Sequence, residues 1–312
     1  MRLPGVGGGP VLPQRIIAIA GQSNAAGRKF IEQVSDATEK ALYETDLVTV
    51  TLREWEATSA NPPVVIYNTA DQSGTQTPVR ADGPLSPRPY ALPQYNMGPE
   101  LSLGYYLDSI VHEFSIVKFS IGGTSLAVNW LPTGTYPTGT NLFDQMVAYL
   151  QQAEIDLGGY LAALVWIQGE NDGTDAAQAA AYQANLTAFI AALRVTWPSL
   201  PFVFNRLSTS SIVVYKTDIR TAQQNVATAD ATTWLVDSDG LALDSGLHFV
   251  ADTYIDLGLR LGPAVINAIG LKITIDADFS YSAAGLVATF TDQSFDSNVS
   301  GVPVSSVSVT TW

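Results

Sequence analysis

Short apolar runs, each closing on a glycine or a polar cluster, alternate along the chain with longer stretches of helical period. RIIAIA (15–20) runs into Gly21, SIVKFS (115–120) leads on to Gly122, and LAALVWI (161–167) runs into Gln168 and Gly169. PFVFN (201–205) and TWLVD (233–237) have the same character, and VVIY (64–67) is a further candidate. Near-continuous apolar runs of this length suit strands buried on both faces. Between them, apolar residues recur at helical spacing over 100–110, 142–155, 176–195, 219–227 and 251–269. Strands separated by helices predict βαβ units, hence a three-layer α/β/α domain around a mainly parallel, five-stranded sheet. Ligands of such sheets bind beyond the carboxyl ends of the strands. The polar residues that follow each run are therefore the ones to inspect.

Two stretches break the rhythm. Residues 67–98 are rich in Pro, Gly, Asn, Ser and Thr with little period, and NWLPTGTYPTGT (129–140) is similar. Loops this long in a compact domain are usually functional or disordered. Trp55, Tyr90, Tyr95 and Trp130 fall in or near them, where an aromatic ring either stacks on a sugar or packs the loop onto the core. After Gly270 the composition turns to Ser, Thr, Val and Asp, with alternation in FSYSAAGLVATF that reads as β-hairpin material. The expected organisation is a flexible leader (1–14), a main domain (15–270) and a short β-rich tail (271–312).

Charge and composition narrow the function classes. The 312-residue chain carries 15 basic against 29 acidic residues, a formal net charge of −14, with no basic stripe. That argues against a nucleic-acid partner, which needs Lys and Arg to track phosphates. There is no cysteine, so thiolate metal sites and cysteine nucleophiles are excluded. Only two histidines occur, His112 and His248, so no multi-histidine metal cage can form. No metal and no cofactor is expected. The longest apolar run, 160–167, is far short of the roughly 20 residues of a membrane span. The leader places glycines and prolines where a signal peptide has its apolar core.

Four polar clusters follow the runs or precede the last helix: GQSN (21–24), GGTS (122–125), QGEND (168–172) and LDSGLHF (243–249). A serine displayed after a strand is a common helix cap, but it is also where a nucleophile can stand. Serine needs a base to take its proton, usually a histidine. It also needs donors where the oxyanion develops, each worth roughly 3 kcal/mol. Together the clusters supply Ser23, His248, a backbone N–H at Gly122 and the amides of Gln168 and Asn171.

These blocks resemble the SGNH hydrolases, and within them the sialate O-acetylesterase and acetylxylan-esterase branch, carbohydrate esterase family six and relatives. The resemblance rests on GQSNAAGR (21–28), Met97-Gly98-Pro99-Glu100, GGTSL (122–126), Trp166 to Glu170, and His248-Phe249 with Tyr254. It covers about 15–269 in the expected order. It implies a flavodoxin-like fold and a serine esterase that takes O-acetyl groups from a glycan. By position, Ser23 is then the nucleophile and His248 the base. The oxyanion hole is the N–H groups of Ser23 and Gly122 plus the amide of Gln168, the family's match, or of Asn171. The family carries its orienting carboxylate three residues before the histidine, where this chain has Ser245; Asp244 is four before. Either Asp244 reaches the ring or another group, Glu170, Asp172 or a backbone carbonyl, takes the role. The tail resembles the opening strands of a polycystic-kidney-disease type repeat (277–296). Its presence and the Gly/Pro leader favour an extracellular or virion-associated setting. They also leave a second function open, a non-catalytic glycan-binding or structural module of a phage tail or cell-surface assembly.

Overall fold

The structure is a computed structural model. It describes residues 13–29, 31–43, 47–55, 82–85, 97–111, 114–135 and 141–271, with strand segments at 275–276, 279–284, 287–292 and 295–296. The expected strand at 64–67, His112, Tyr90 and Tyr95 lie outside the described residues.

The first half of the domain runs β1 (Gln14–Gly21), α1 (Ser23–Ala26), α2 (Ala37–Tyr43), β2 (Leu47–Trp55), β3 (Asp82–Leu85), α3 (Glu100–Asp108) and β4 (Phe114–Ser120). A π-helical turn (Leu126–Trp130), α4 (Leu142–Leu157), β5 (Gly159–Ile167) and a 3-10 turn (Asp172–Thr174) follow. The second half is α5 (Ala176–Thr196), β6 (Phe202–Asn205), α6 (Lys216–Ala229), β7 (Thr233–Val236), the short strands β8 (Leu243–Asp244) and β9 (His248–Phe249), and α7 (Ala251–Ala268).

The main sheet has the order β3-β2-β4-β1-β5-β6-β7. The five expected strands form its contiguous block β4-β1-β5-β6-β7, all parallel. Numbered among themselves they read 2-1-3-4-5, the doubly wound order of flavodoxin-like sheets. β2 adds a parallel strand beside β4, and β3 closes that edge antiparallel.

Burial on both faces explains why β1 and β5 are apolar almost throughout. Alternation along each strand then divides the core in two. Ile16, Ala18 and Ala20 of β1 and Leu164 and Trp166 of β5 point to the face covered by α4, α5 and α6. Ile17 and Ile19, with Ala163, Val165 and Ile167, point to the face covered by α3 and α7. Two of the long helices start on side-chain caps. Asn141 accepts from the Asp144 N–H at 2.7 Å to start α4, and Asp175 accepts from the Gln178 N–H at 2.9 Å to start α5. In the tail, β11 (Phe279–Ala284) pairs antiparallel with β12 (Val287–Asp292), and β10 (Ile275–Asp276) with β13 (Phe295–Asp296).

Candidate active site

The chain reverses its direction of winding at β1, which lies between β4 and β5. Gly21 stands level with Ser120 on one side and Ile167 on the other. Two backbone bonds continue the ladder past the strand end: the Gln22 N–H donates to Ile167 O at 3.1 Å, and the Ile121 N–H donates to Gly21 O at 2.9 Å. GQSN, GGTS and QGEND therefore emerge side by side, at the crevice where doubly wound sheets bind ligands. Gly21 has φ +136°, and a Cβ there would lie 2.1 Å from Ile167 O. Gly27 has φ +84°, and its Cβ would meet Met97 O at 2.3 Å. These two glycines let the backbone turn sharply on either side of the short helix that begins at Ser23. The turn is held from below by Lys118, whose buried Nζ donates to Ala26 O and to Glu100 Oε2, both at 2.7 Å.

His248 comes from the other end of the chain. β8 and β9 form a hairpin joined by three residues, 245–247, in which the Leu247 N–H donates to Asp244 O at 3.0 Å. The loop residues Ser245 and Gly246 have φ 51° and 70°, the left-handed pair of a type I′ turn. This hairpin puts His248 Nε2 3.0 Å from Ser23 Oγ. Burial, aided by the nearby Arg28 and Lys29 charges, pushes the imidazole down to about 4, so the ring is a neutral proton acceptor. Asp244 faces His248 across the ladder. Its carboxylate, however, is taken by Lys29 at 2.7 Å and by the Ser245 hydroxyl at 3.1 Å, and the Lys29 bond holds it below the usual carboxylate range. The expected Asp244–imidazole bond is thus replaced by an ion pair, because the hairpin leaves the Asp244 side chain at the exposed rim beside Lys29. No described carboxylate hydrogen-bonds the ring.

A cleft of about 420 Å³ opens above the pair, lined by Gln22, Ser23, Arg28, Gly123, Glu170, Asn171, Thr174, Leu247 and His248. The two candidate amides separate here. Asn171 lines the cleft. Gln168 does not; its amide is spent below, where Nε2 donates to Asp172 Oδ2 at 2.6 Å, Gln22 Oε1 at 3.2 Å and Thr124 O at 3.3 Å. Its Oε1 accepts from the Tyr182 hydroxyl at 2.9 Å. The strand-end turn at Gly169 explains the difference, since it points Gln168 into the core and leaves Asn171 at the surface of the loop. Asp172, fully buried, also turns inward. Its carboxylate accepts from the Leu126 N–H at 2.7 Å and the Ala127 N–H at 2.9 Å and so fixes the turn that follows GGTS. Burial pushes its carboxyl up. Glu170, also pushed up by burial, accepts from Asn24 Nδ2 through Oε1. Gly123, the neighbour of the expected Gly122, lines the cleft. Trp130 is fully buried edge-on against Trp166 and Phe119, so it packs its loop onto the core and offers no stacking face to a sugar.

Sequence reasoning passed over Gln22, Asn24, Arg28 and Thr174 as site residues. The first three belong to GQSNAAGR, whose position after β1 was the available signal. Among the described residues, no cluster of three His, Cys, Asp or Glu side chains can hold a metal ion.

Comparison with known proteins bears on this arrangement. Residues 13–267 match the model of the family described as carbohydrate esterase, sialic acid-specific acetylesterase. The chain belongs to this family. A curated relative, "Probable carbohydrate esterase At4g34215" of Arabidopsis thaliana, is 29% identical over 155 residues, which are 49% of this chain and 55% of the relative. The match thus spans about half the length of each. The solved structure of that Arabidopsis thaliana protein superposes with TM-score 0.59 at 21% identity, covering 82% of this chain and 99% of its own. XAC1771, described as a novel carbohydrate acetylesterase from Xanthomonas citri, superposes with TM-score 0.59 at 17% identity, over 89% of this chain and 62% of its own. The likeness to both structures is one of fold.

Proposed function

We propose that this member of the carbohydrate esterase family is a serine O-acetylesterase acting on an acetylated glycan, with Ser23 as nucleophile and His248 as base. The observation that carries the reading is the 3.0 Å approach of His248 Nε2 to Ser23 Oγ in an open cleft, by groups 225 residues apart in sequence. The neutral imidazole takes the Ser23 proton as Oγ attacks the acetyl carbonyl. The resulting oxyanion sits among the N–H groups of Ser23 and Gly122 and the Asn171 amide. His248 then gives its proton to the leaving sugar oxygen, which departs and leaves acetyl-Ser23. Water, deprotonated by His248, attacks that ester, and acetate is released with Ser23 restored. The polar side chains that line the cleft, Gln22, Arg28, Asn171 and Thr174 among them, can hydrogen-bond a hydroxyl-rich alcohol.

The test is turnover of 4-nitrophenyl acetate, together with acetate release from a panel of acetylated polysaccharides and O-acetylated sialic acid. Ser23→Ala is expected to lose at least about a thousandfold in kcat with its fold intact. Equal rates in the two proteins overturn the assignment. Glycan binding by a wild type that releases no acetate would point instead to a binding module.

A further inference from the structure

A serine–histidine pair needs the ring held against the hydroxyl, and here no described carboxylate binds the imidazole. What holds it is next to the serine itself. Asn24 is 1% exposed and spends every polar position it has. Its Nδ2 donates to Glu170 Oε1 at 2.5 Å and to Leu247 O at 3.1 Å. Its Oδ1 accepts from the Phe249 N–H at 3.4 Å and from the Tyr254 hydroxyl at 2.9 Å. Two donors and two lone pairs are the full capacity of the side chain. Leu247 and Phe249 are the two residues that flank His248, so one amide grips the backbone on both sides of the base. The same residue is covalently joined to Ser23. Glu170 and Tyr254 clamp the amide from the β5 end and from α7, and the Tyr254 hydroxyl is buried away from the cleft.

We propose that Asn24 is a positioning residue that sets the distance between Ser23 and His248, doing through the backbone what an orienting carboxylate does through the ring. The inference rests on the Ser23–His248 reading, and its readouts separate the two. Asn24→Asp keeps shape but turns two donors into acceptors, against Glu170 and the Leu247 carbonyl. Adding Glu170→Gln returns a donor to that contact. The expected outcome is a fall in kcat of about a hundredfold for N24D, with KM little changed, since a misplacement near 1 Å costs that much. N24D/E170Q regains at least about tenfold of it, measured against E170Q alone. Because the chain has only two histidines, 15N-histidine labelling gives two sets of ring signals, and H248Q assigns them. The His248 signals are expected to broaden or split in N24D and to sharpen again in the double variant. Tyr254→Phe removes one anchor and leaves three, and carries the same test, with a smaller loss near tenfold, where N24D does not fold. A folded N24D with wild-type kcat, a double variant no better than N24D, or unchanged His248 signals in both N24D and Y254F overturns the inference. The last result does so whatever the ester assay shows, whereas full activity in S23A overturns the esterase reading and leaves the ring signals to judge Asn24.

Discussion

As the proposed base, His248 has a ring that stays neutral below the usual histidine range. Its ring is buried, and Arg28 and Lys29 both disfavour the imidazolium, while the Asp244 charge opposes them. A ring pushed down to about 4 stays neutral, and so competent to take the Ser23 proton, well below the ordinary histidine value near 6.5. The acidic limb of kcat/KM is therefore expected well under pH 6.5. Lys29→Met removes one opposing charge and releases Asp244 from its ion pair. The imidazolium is then stabilised and the limb moves to higher pH. A pH–rate profile of the two proteins checks this; a wild-type limb at 6.5 or above, or no shift in K29M, refutes it. The sign for stability follows from the same shift. The unfolded chain binds the His248 proton more tightly than the folded one, so stability falls as pH drops from 6.5 towards 4, and H248Q lacks that part of the fall.

The loops show which parts of such a site a sequence makes legible. Glycine-terminated runs identified β1, β4 and β5, and a doubly wound order then brings their ends together, which is why Ser23, the GGTS loop and QGEND were expected at one crevice. Two things were not legible. The direction of each side chain depends on the turn that follows the strand: Gln168 and Asn171 are three residues apart, yet one is locked under the cleft and the other lines it. The fate of Asp244 depends on a type I′ turn whose first left-handed residue is a serine, where Asn or Asp is the usual signal. β2 escaped notice for a different reason. LVTVTLREW alternates apolar and polar residues instead of running apolar, as strands towards an edge do. Asp172 illustrates how a residue of a strand-end cluster can serve a candidate site at one remove. Its carboxylate takes two backbone N–H groups at the start of the Leu126–Trp130 turn and the Gln168 amide. In Asp172→Ala the Leu126 and Ala127 N–H groups are left unpaired, each at a cost of about 1–3 kcal/mol, while the Gln168 amide keeps Gln22 and Thr124. Urea unfolding should show a loss of that order or more, and kcat should fall as the GGTS loop loses its anchor. Wild-type stability together with wild-type kcat would show that the loop is held some other way.

On its α3–α7 side the core meets the site through a buried ion pair. Along β4, Val117 and Phe119 face the α4–α5 side and Ile116 faces the α3–α7 side, so Lys118 shares the side of Ile116. There a charged residue in mid-strand breaks the apolar pattern, and both Lys118 and Glu100 are only 1% exposed. Glu100 opens α3 and also accepts the Gly98 N–H at 3.0 Å, beside the close approach of Gly98 to Gly27. Lys118 in turn binds the last carbonyl of α1. The pair thus ties the α3 layer, the sheet and the serine-bearing turn into one unit. Breaking a buried pair by removing one partner costs about 3–5 kcal/mol, whereas replacing both with apolar groups of similar size is far less costly. Lys118→Met should therefore destabilise the protein by about 3–5 kcal/mol in denaturant unfolding. A K118M/E100L double variant should recover much of that stability without recovering activity, since Ala26 O still lacks its donor and the turn carrying Ser23 is no longer held. If the double variant regains both stability and kcat, the pair serves the fold alone and the turn positions itself; if K118M is as stable as wild type, the charge on Glu100 finds another partner and the coupling of layer to site is lost.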